Sequence, residues 1–316
     1  MPQMLTLLDL AKRTHMGSLI DIAEVLNRAT PILMDATWQE ANGLNSHTIA
    51  RRASLPEGTW RMLNQGVKPT KSDVIQVVEP IALLEDWSQV DIEEINLAPN
   101  GKLYRYQEDI AHVEGMGQQL EEAYWYENQK TNPAAFTGLA PRYTEIDGEE
   151  VFNAGGASSG SMTSIWVVEH GPQAAFFVYP RGNRQLGISM EDRGMSQLVN
   201  AQGEMYDVFR TKFKSYAGLA VRDVRSVKRI ANMLLTIDGL KAAIPKLREA
   251  LNRLPGNGTP AIYISQSTKD LFDNYVDEKT NVVYQANDPF GRPVMTFNGI
   301  TMRTCKALLE TEATVS

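Results

Sequence analysis

One cysteine, Cys305, is too few for a disulfide within the chain. The fold must therefore hold by packing and hydrogen bonding, a usage that suits a reducing cytosol. Long apolar runs are missing as well. No stretch reaches the roughly 18 residues that a membrane span needs, and no membrane partner is expected. The opening Met1-Pro2-Gln3-Met4 lacks the charged, apolar and small-residue zones of a secretory signal. An excess of positive charge is absent too. The formal net charge is -7, which argues against a surface that grips nucleic acid throughout. There is no internal repeat and no low-complexity segment longer than a loop.

Recognisable catalytic patterns are equally scarce. His15, His47, His112 and His170 are scattered, without the short paired spacing of zinc ligands. Glu93-Glu94 and Glu121-Glu122 are adjacent pairs that point apart on a helix and read as solvated faces. Pro255-Gly256-Asn257-Gly258 lacks the Gly-Lys-Ser/Thr ending of a phosphate loop, and residues 182–187 lack the strand–turn–helix setting of a dinucleotide site. The sharpest match is Gly156-Ala157-Ser158-Ser159-Gly160, which fits G-x-S-x-G. That motif needs a strand-to-helix turn to lift the serine. Here a loop precedes a strand, and a hydrolase using Ser158 is the weakest alternative. No catalytic, cofactor-binding or metal-binding set is expected.

What the chain does hold is a large core and an odd distribution of it. Apolar residues make up 43% and charged ones 22% of 316 residues, ordinary for a globular protein. Near its start, Leu5, Leu8 and Ala11-Lys12 hint at a short helix. Ser18 can cap a second carrying Leu19, Ile22, Ala23 and Leu26. Residues 45–78 are extended and polar, ending in the strand-like run Val74-Ile75-Gln76-Val77-Val78 before Pro80. A segment of about 35 residues with so little core is unusual in a compact domain. It is either a lid or a long hairpin that packs on a neighbour. From 103 to 129, Tyr106, Ile110, Val113, Leu120 and Tyr124 recur at helical spacing, weakened by Gly115 and Gly117 at about 1 kcal/mol each.

The remainder is mixed. Runs 164–168 and 174–178 flank His170-Gly171-Pro172 as a hairpin, and 204–219 alternates as a strand. A helix over 238–254 contains Pro245, which kinks it or marks its true start. Ala261-Ile262-Tyr263-Ile264 reads as a buried strand, and Ser267 as the cap of the helix with Leu271 and Phe272. Asn298-Gly299 between Thr296-Phe297 and Ile300-Thr301 is a two-residue hairpin turn. Strands and helices do not alternate, so the fold class is α+β. Between 210 and 253 cations outnumber carboxylates, whereas 79–127 is acidic. Solvated faces explain this most simply; pairing between subunits is the better functional reading.

A resemblance enters at 177–232. Val178-Tyr179-Pro180-Arg181-Gly182-Asn183 through Gly187-Ile188-Ser189-Met190-Glu191-Asp192 is similar to the YPKGS…GL…ED stretch of major capsid proteins from short-tailed phages of the epsilon-fifteen type. Phe213-Lys214-Ser215-Tyr216-Ala217-Gly218-Leu219-Ala220-Val221-Arg222-Asp223 resembles their W-x-x-GL-x-VRD segment, and Arg225-Ser226-Val227-Lys228-Arg229-Ile230-Ala231-Asn232 follows in the same order. Elsewhere the likeness is architectural.

The resemblance implies a Hong Kong 97-like capsid fold. Its parts would be an N-terminal arm at 1–46, an extended loop at 47–86, and a peripheral domain at 87–150 with a spine helix at about 103–129. A mainly axial domain would follow at 151–290, with strands returning to the peripheral domain at about 204–232, then a C-terminal hairpin and tail at 291–316. It implies a non-enzymatic shell protein of the virion. Its copies would join as hexamers and pentamers, assembled in the host cytoplasm around non-specifically held DNA on the inner face. Portal, a separate scaffolding protein and a decoration protein are the implied further partners. Arg51, Arg52, Glu57, Trp60 and Arg61 are the expected inter-subunit contacts. Some relatives cross-link through a loop lysine; Lys68 and Lys71 stand in that region, with no motif identifying a partner. The alternative within the fold is an encapsulin-like compartment shell.

Overall fold

Strand β8, Met162–His170, is buried along its whole length, which is why Ser164-Ile165-Trp166-Val167-Val168 reads as an unbroken apolar run rather than an alternating one. A computed structural model of the chain describes residues 30–157, 161–183, 187–200, 202–275 and 295–316, with the backbone alone at 14–15, 18–19 and 276–277. In it Trp166 and Val168 enter one core and Ile165 and Val167 the other.

The strands before β8 are β1 (Thr14–His15), β2 (Ser18–Leu19), β3 (Trp38–Glu40), β4 (Ser46–Ser54), β5 (Asp73–Pro80), β6 (Ala82–Asp91) and β7 (Val151–Asn153). Those after it are β9 (Ala175–Tyr179), β10 (Ile188–Val199), β11 (Met205–Val221), β12 (Val227–Leu234), β13 (Thr259–Ile264), β14 (Thr296–Phe297) and β15 (Ile300–Thr304). Helices are α1 (Pro31–Asp35), α2 (Ile92–Leu97), α3 (Gly101–Tyr126), α4 (Ile237–Asn252) and α5 (Gln266–Asp277). β8 pairs antiparallel with β12 and with β13. The expected hairpin between β8 and β9 does not form: they share the single bridge His170↔Ala175. Both are interior strands, and each takes its ladder from other partners; β9 pairs with β11 and β3.

The first core lies between one sheet face, the C-terminal half of α3 and the chain's last residues, with Trp125, Trp166, Tyr263 and Phe177 in ring contact with neighbours. The second lies under α4 and α5. In α4, Leu240, Ile244 and Leu247 are buried at helical spacing, and Thr236 caps the first turn through Gly239 N at 3.1 Å. The helix runs through Pro245, because the stripe it buries outweighs one missing hydrogen bond. Ser265, not Ser267, caps α5: its hydroxyl accepts from Thr268 N at 3.3 Å, while Ser267 N is taken by Glu310.

α3 is capped by Asn100, whose side chain accepts from Leu103 N at 3.2 Å. It ends at Tyr126, three residues short of the expected 129, where Asn128 opens a turn by accepting from Lys130 N and Thr131 N. Its 26 residues span about 39 Å at 1.5 Å each. It lies across a ribbon of β6, β11 and β10, with Asp109 and His112 reaching Thr211 and Asp86. β11 passes from this ribbon into the main sheet at Gly218, where a Cβ would meet Pro80 O at 2.5 Å. Residues 82–86, read from sequence as part of the extended loop, belong to this ribbon through β6. Ser18 pairs with His15 in an extended bridge instead of opening a helix. The rest of that reading, Leu5, Leu8, Ala11-Lys12, Ile22, Ala23 and Leu26, lies outside the described residues.

Candidate functional site

β4 and β5 form a two-stranded hairpin that pairs with no other strand among the described residues. Its base is clamped to the body and its far end is bare. At the base, Glu79 is buried and accepts both arms of the Arg142 guanidinium at 2.6 and 2.9 Å. Such fork-to-fork pairing is the strongest geometry an ion pair adopts. Arg142 also donates to Thr137 O at 2.7 Å and Leu219 O at 3.1 Å. Asn42 grips Thr48 through both its amide nitrogen and its oxygen, at 2.8 Å each. His47 meets the edge of Phe176 at 5.6 Å. Burial, and secondarily the nearby Arg222 charge, lower its pKa.

The five residues expected to make contacts fall in different settings. Arg51 points inward: its guanidinium donates to Val221 O and lies 3.9 Å from Glu79. It stiffens the base. Arg52 is exposed on the same strand beside a bulge. Glu57, Trp60 and Arg61 belong to the exposed tip, where Glu57 O accepts from Thr70 Oγ1 at 3.3 Å and Arg61 donates to Gln65 O at 2.9 Å. Trp60 is 101% exposed, and Leu55, Met62 and Leu63 beside it are exposed as well. Apolar side chains gathered so far from any core form an exposed patch of the kind that serves proteins as an interaction surface. Sequence reasoning did not single out Leu55, Met62 and Leu63; their crowding around Trp60 in a segment without core was the available signal.

Other sequence candidates are not brought together. Ser158 lies outside the described residues. His47, His112 and His170 sit in separate places, and among the described residues no three metal-ligating groups cluster. His112 bonds Asp86 at 2.6 Å, and His170 is buried against Tyr263. Much of the basic excess after 210 is answered within the chain rather than by a neighbour. Lys212 meets Glu85 at 2.7 Å, Arg229 meets Glu312 at 2.9 Å, and Arg225 meets Asp223 at 2.8 Å. The acidic 79–127 and the basic strand β11 face each other because β6 and β11 are paired. No helix among the described residues is long and apolar enough to cross a membrane.

The family of major capsid protein GP7 matches residues 14–316. A chain of the near-atomic cryo-EM structure of bacteriophage Epsilon15 superposes with a TM-score of 0.75 at 27% identity, over 99% of this chain and 98% of that one. A chain of the bacteriophage JBD30 capsid shares the fold at 11% identity, with a TM-score of 0.53, over 90% and 93% of the two chains. No curated protein matches.

Proposed function

The chain belongs to the family of major capsid protein GP7, and from that membership we propose that its copies close into the icosahedral shell around the DNA genome of a tailed bacteriophage. The fold is the α+β, Hong Kong 97-like capsid fold, and the work is structural rather than enzymatic. The virion is where the protein resides. The observation that carries the mechanism is the hairpin of β4 and β5: rigid at its clamped base, apolar at its tip and covered by nothing of its own chain among the described residues.

On this reading the hairpin, from 47 to 80, is the extended loop and α3 the spine. Residues 1–46 are the arm, the ribbon of β6, β11 and β10 belongs to the peripheral domain, and β8, β12 and β13 with α4 and α5 to the axial domain. A contact in which the hairpin of one copy meets a different surface of the next is heterologous, and it closes into a ring when the rotation permits. Hexamers and pentamers are such rings. Each added copy covers its neighbour's exposed tip, so shell stability is a sum of interfaces favoured by mass action. Arg52, Glu57, Trp60 and Arg61 make these contacts directly, and Arg51 holds the strand that presents them. Assembly in the host cytoplasm, a portal, a separate scaffolding protein and a decoration protein complete the proposal, with DNA held non-specifically inside.

Expression of the chain alone, followed by sedimentation and electron microscopy, tests this reading. Closed shells or ring-shaped capsomers are expected. A monomer persisting at high concentration would overturn it.

A further inference from the structure

Four arginines line one cleft of about 990 Å³, and the chain leaves two of them unanswered. The cleft opens between the hairpin, which contributes Arg51, Arg52 and Glu57, and the body, which contributes Arg222, Asp223 and Arg225. Asp223 is already spent. It accepts from Arg225 Nε at 3.0 Å and Nη2 at 2.8 Å, and from Asn257 Nδ2 at 3.0 Å. Arg51 turns away to Val221 O and Glu79. Arg52 and Arg222 are exposed, and among the described residues no hydrogen bond or ion pair engages either side chain.

The imbalance does not come from a shortage of acid. The chain has 38 Asp and Glu against 31 Lys and Arg, yet this cleft holds four cations and two carboxylates, a net of +2. Like charges gathered in one cleft repel, and a concave cationic surface concentrates anions from solution. An arginine fork matches the paired oxygens of a carboxylate or a phosphate. Phosphate fits this cleft better, because its oxygens point in tetrahedral directions and can meet forks arriving from two different walls.

We propose that this cleft is an anion site for a phosphate group, held between Arg52 on the hairpin and Arg222 and Arg225 on the body. Charge-assisted bonds from both walls tie β4 to the turn after β11, a second brace beside the Glu79–Arg142 clamp. The orientation of the hairpin then depends on an ion as well as on the chain. Free phosphate and the phosphodiester backbone of a nucleic acid present the same oxygens, so either source fills the site. The site does not depend on the shell reading, and each can fail alone.

Titration of the full chain with sodium phosphate, as unassembled subunit at fixed ionic strength, tests the site. Bound phosphate is counted by equilibrium dialysis, and its effect is read as the thermal midpoint, which a ligand of the folded state raises. Arg52→Gln with Arg222→Gln removes two forks that bond nothing among the described residues, so the subunit itself should hold. Lys241→Gln with Arg248→Gln removes the same charge from α4 and serves as the control. The expected result is a single phosphate per parent chain, with affinity unchanged in the α4 variant. In the cleft variant affinity should fall by about tenfold or more, as the loss of charge-assisted bonds implies. A parallel titration with a short DNA duplex separates the sources. Duplex binding that is lost in the cleft variant identifies a nucleic-acid backbone, whereas phosphate binding without duplex binding identifies the free ion. A parent chain that binds neither, or binding that the cleft variant does not selectively weaken, sinks the proposal.

Discussion

His170 shows how one side chain ties a distant segment to the core. Tyr263 Oη donates to Asp35 at 3.0 Å, so its oxygen receives the Nε2 hydrogen of His170 at 2.8 Å. Arg303 holds the other side of Asp35 at 3.1 and 3.2 Å. The imidazole is neutral in this relay, and burial keeps its pKa at about 4, opposed only in part by the Asp35 charge. A depressed folded pKa means that the unfolded chain binds more protons between pH 6.5 and 4. The relay's contribution is therefore complete above pH 6.5 and is lost as pH falls through about 4. One such group can change stability by up to about 1.4 kcal/mol per pH unit. Urea unfolding of the unassembled subunit across this window checks it: His170→Gln, which keeps a donor for Tyr263, should flatten the slope relative to the parent. Equal slopes for the two would show that His170 is not the titrating group.

At the scale of an element, the hairpin separates folding from assembly. Truncating a fully exposed side chain removes no packing within the subunit, so Trp60→Ala should leave the subunit's unfolding free energy within about 0.5 kcal/mol of the parent. The same change removes a large apolar anchor of the kind that dominates interfaces, and shell yield measured by sedimentation should fall sharply. Breaking the base is different. Arg142→Ala takes the bidentate partner from the buried Glu79 carboxylate and leaves it only Arg51 at 3.9 Å, which should cost about 3 kcal/mol in the subunit itself, readable as a lower denaturation midpoint. The hairpin was legible in the sequence because 45–78 has strand-forming residues and almost nothing to bury. Its boundary was not: Pro80 breaks β5, yet Ala82 begins a strand whose partner, β11, lies more than a hundred residues away. The inward turn of Arg51 was also invisible, since it depends on Val221 O and Glu79 meeting across the fold.

Over the whole molecule, local periodicity revealed α3, α4 and β11, whereas the order of strands came from pairings no window can see. β8 and β9 illustrate this: adjacent apolar runs around a Gly-Pro turn look like a hairpin, but each is buried on both faces and is claimed by other strands. The C-terminal tail is the other long-range feature, and it closes the first core. Cys305 N donates to Ile264 O, Leu309 N to the hydroxyl of Tyr126, and Glu312 N to Met162 O. Val315 N and O both bond the side chain of Asn232 at 2.8 Å. Glu312 is buried between Arg229, Ser164 and Tyr126, accepting from all three. Arg229 would be left as an unpaired buried cation without it, a loss of about 3–5 kcal/mol. That is a large share of the roughly 5–15 kcal/mol that holds a native domain. Glu312→Ala should therefore lower the denaturation midpoint of the subunit markedly, and deletion of residues 309–316, which also removes the Leu309 and Val315 bonds, should leave little soluble subunit. Arg229→Met combined with Glu312→Leu removes both charges together and should recover part of the loss, because an apolar pair of similar volume needs no compensation. A double variant no more stable than Glu312→Ala alone would show that the tail is held by its backbone bonds rather than by the buried pair.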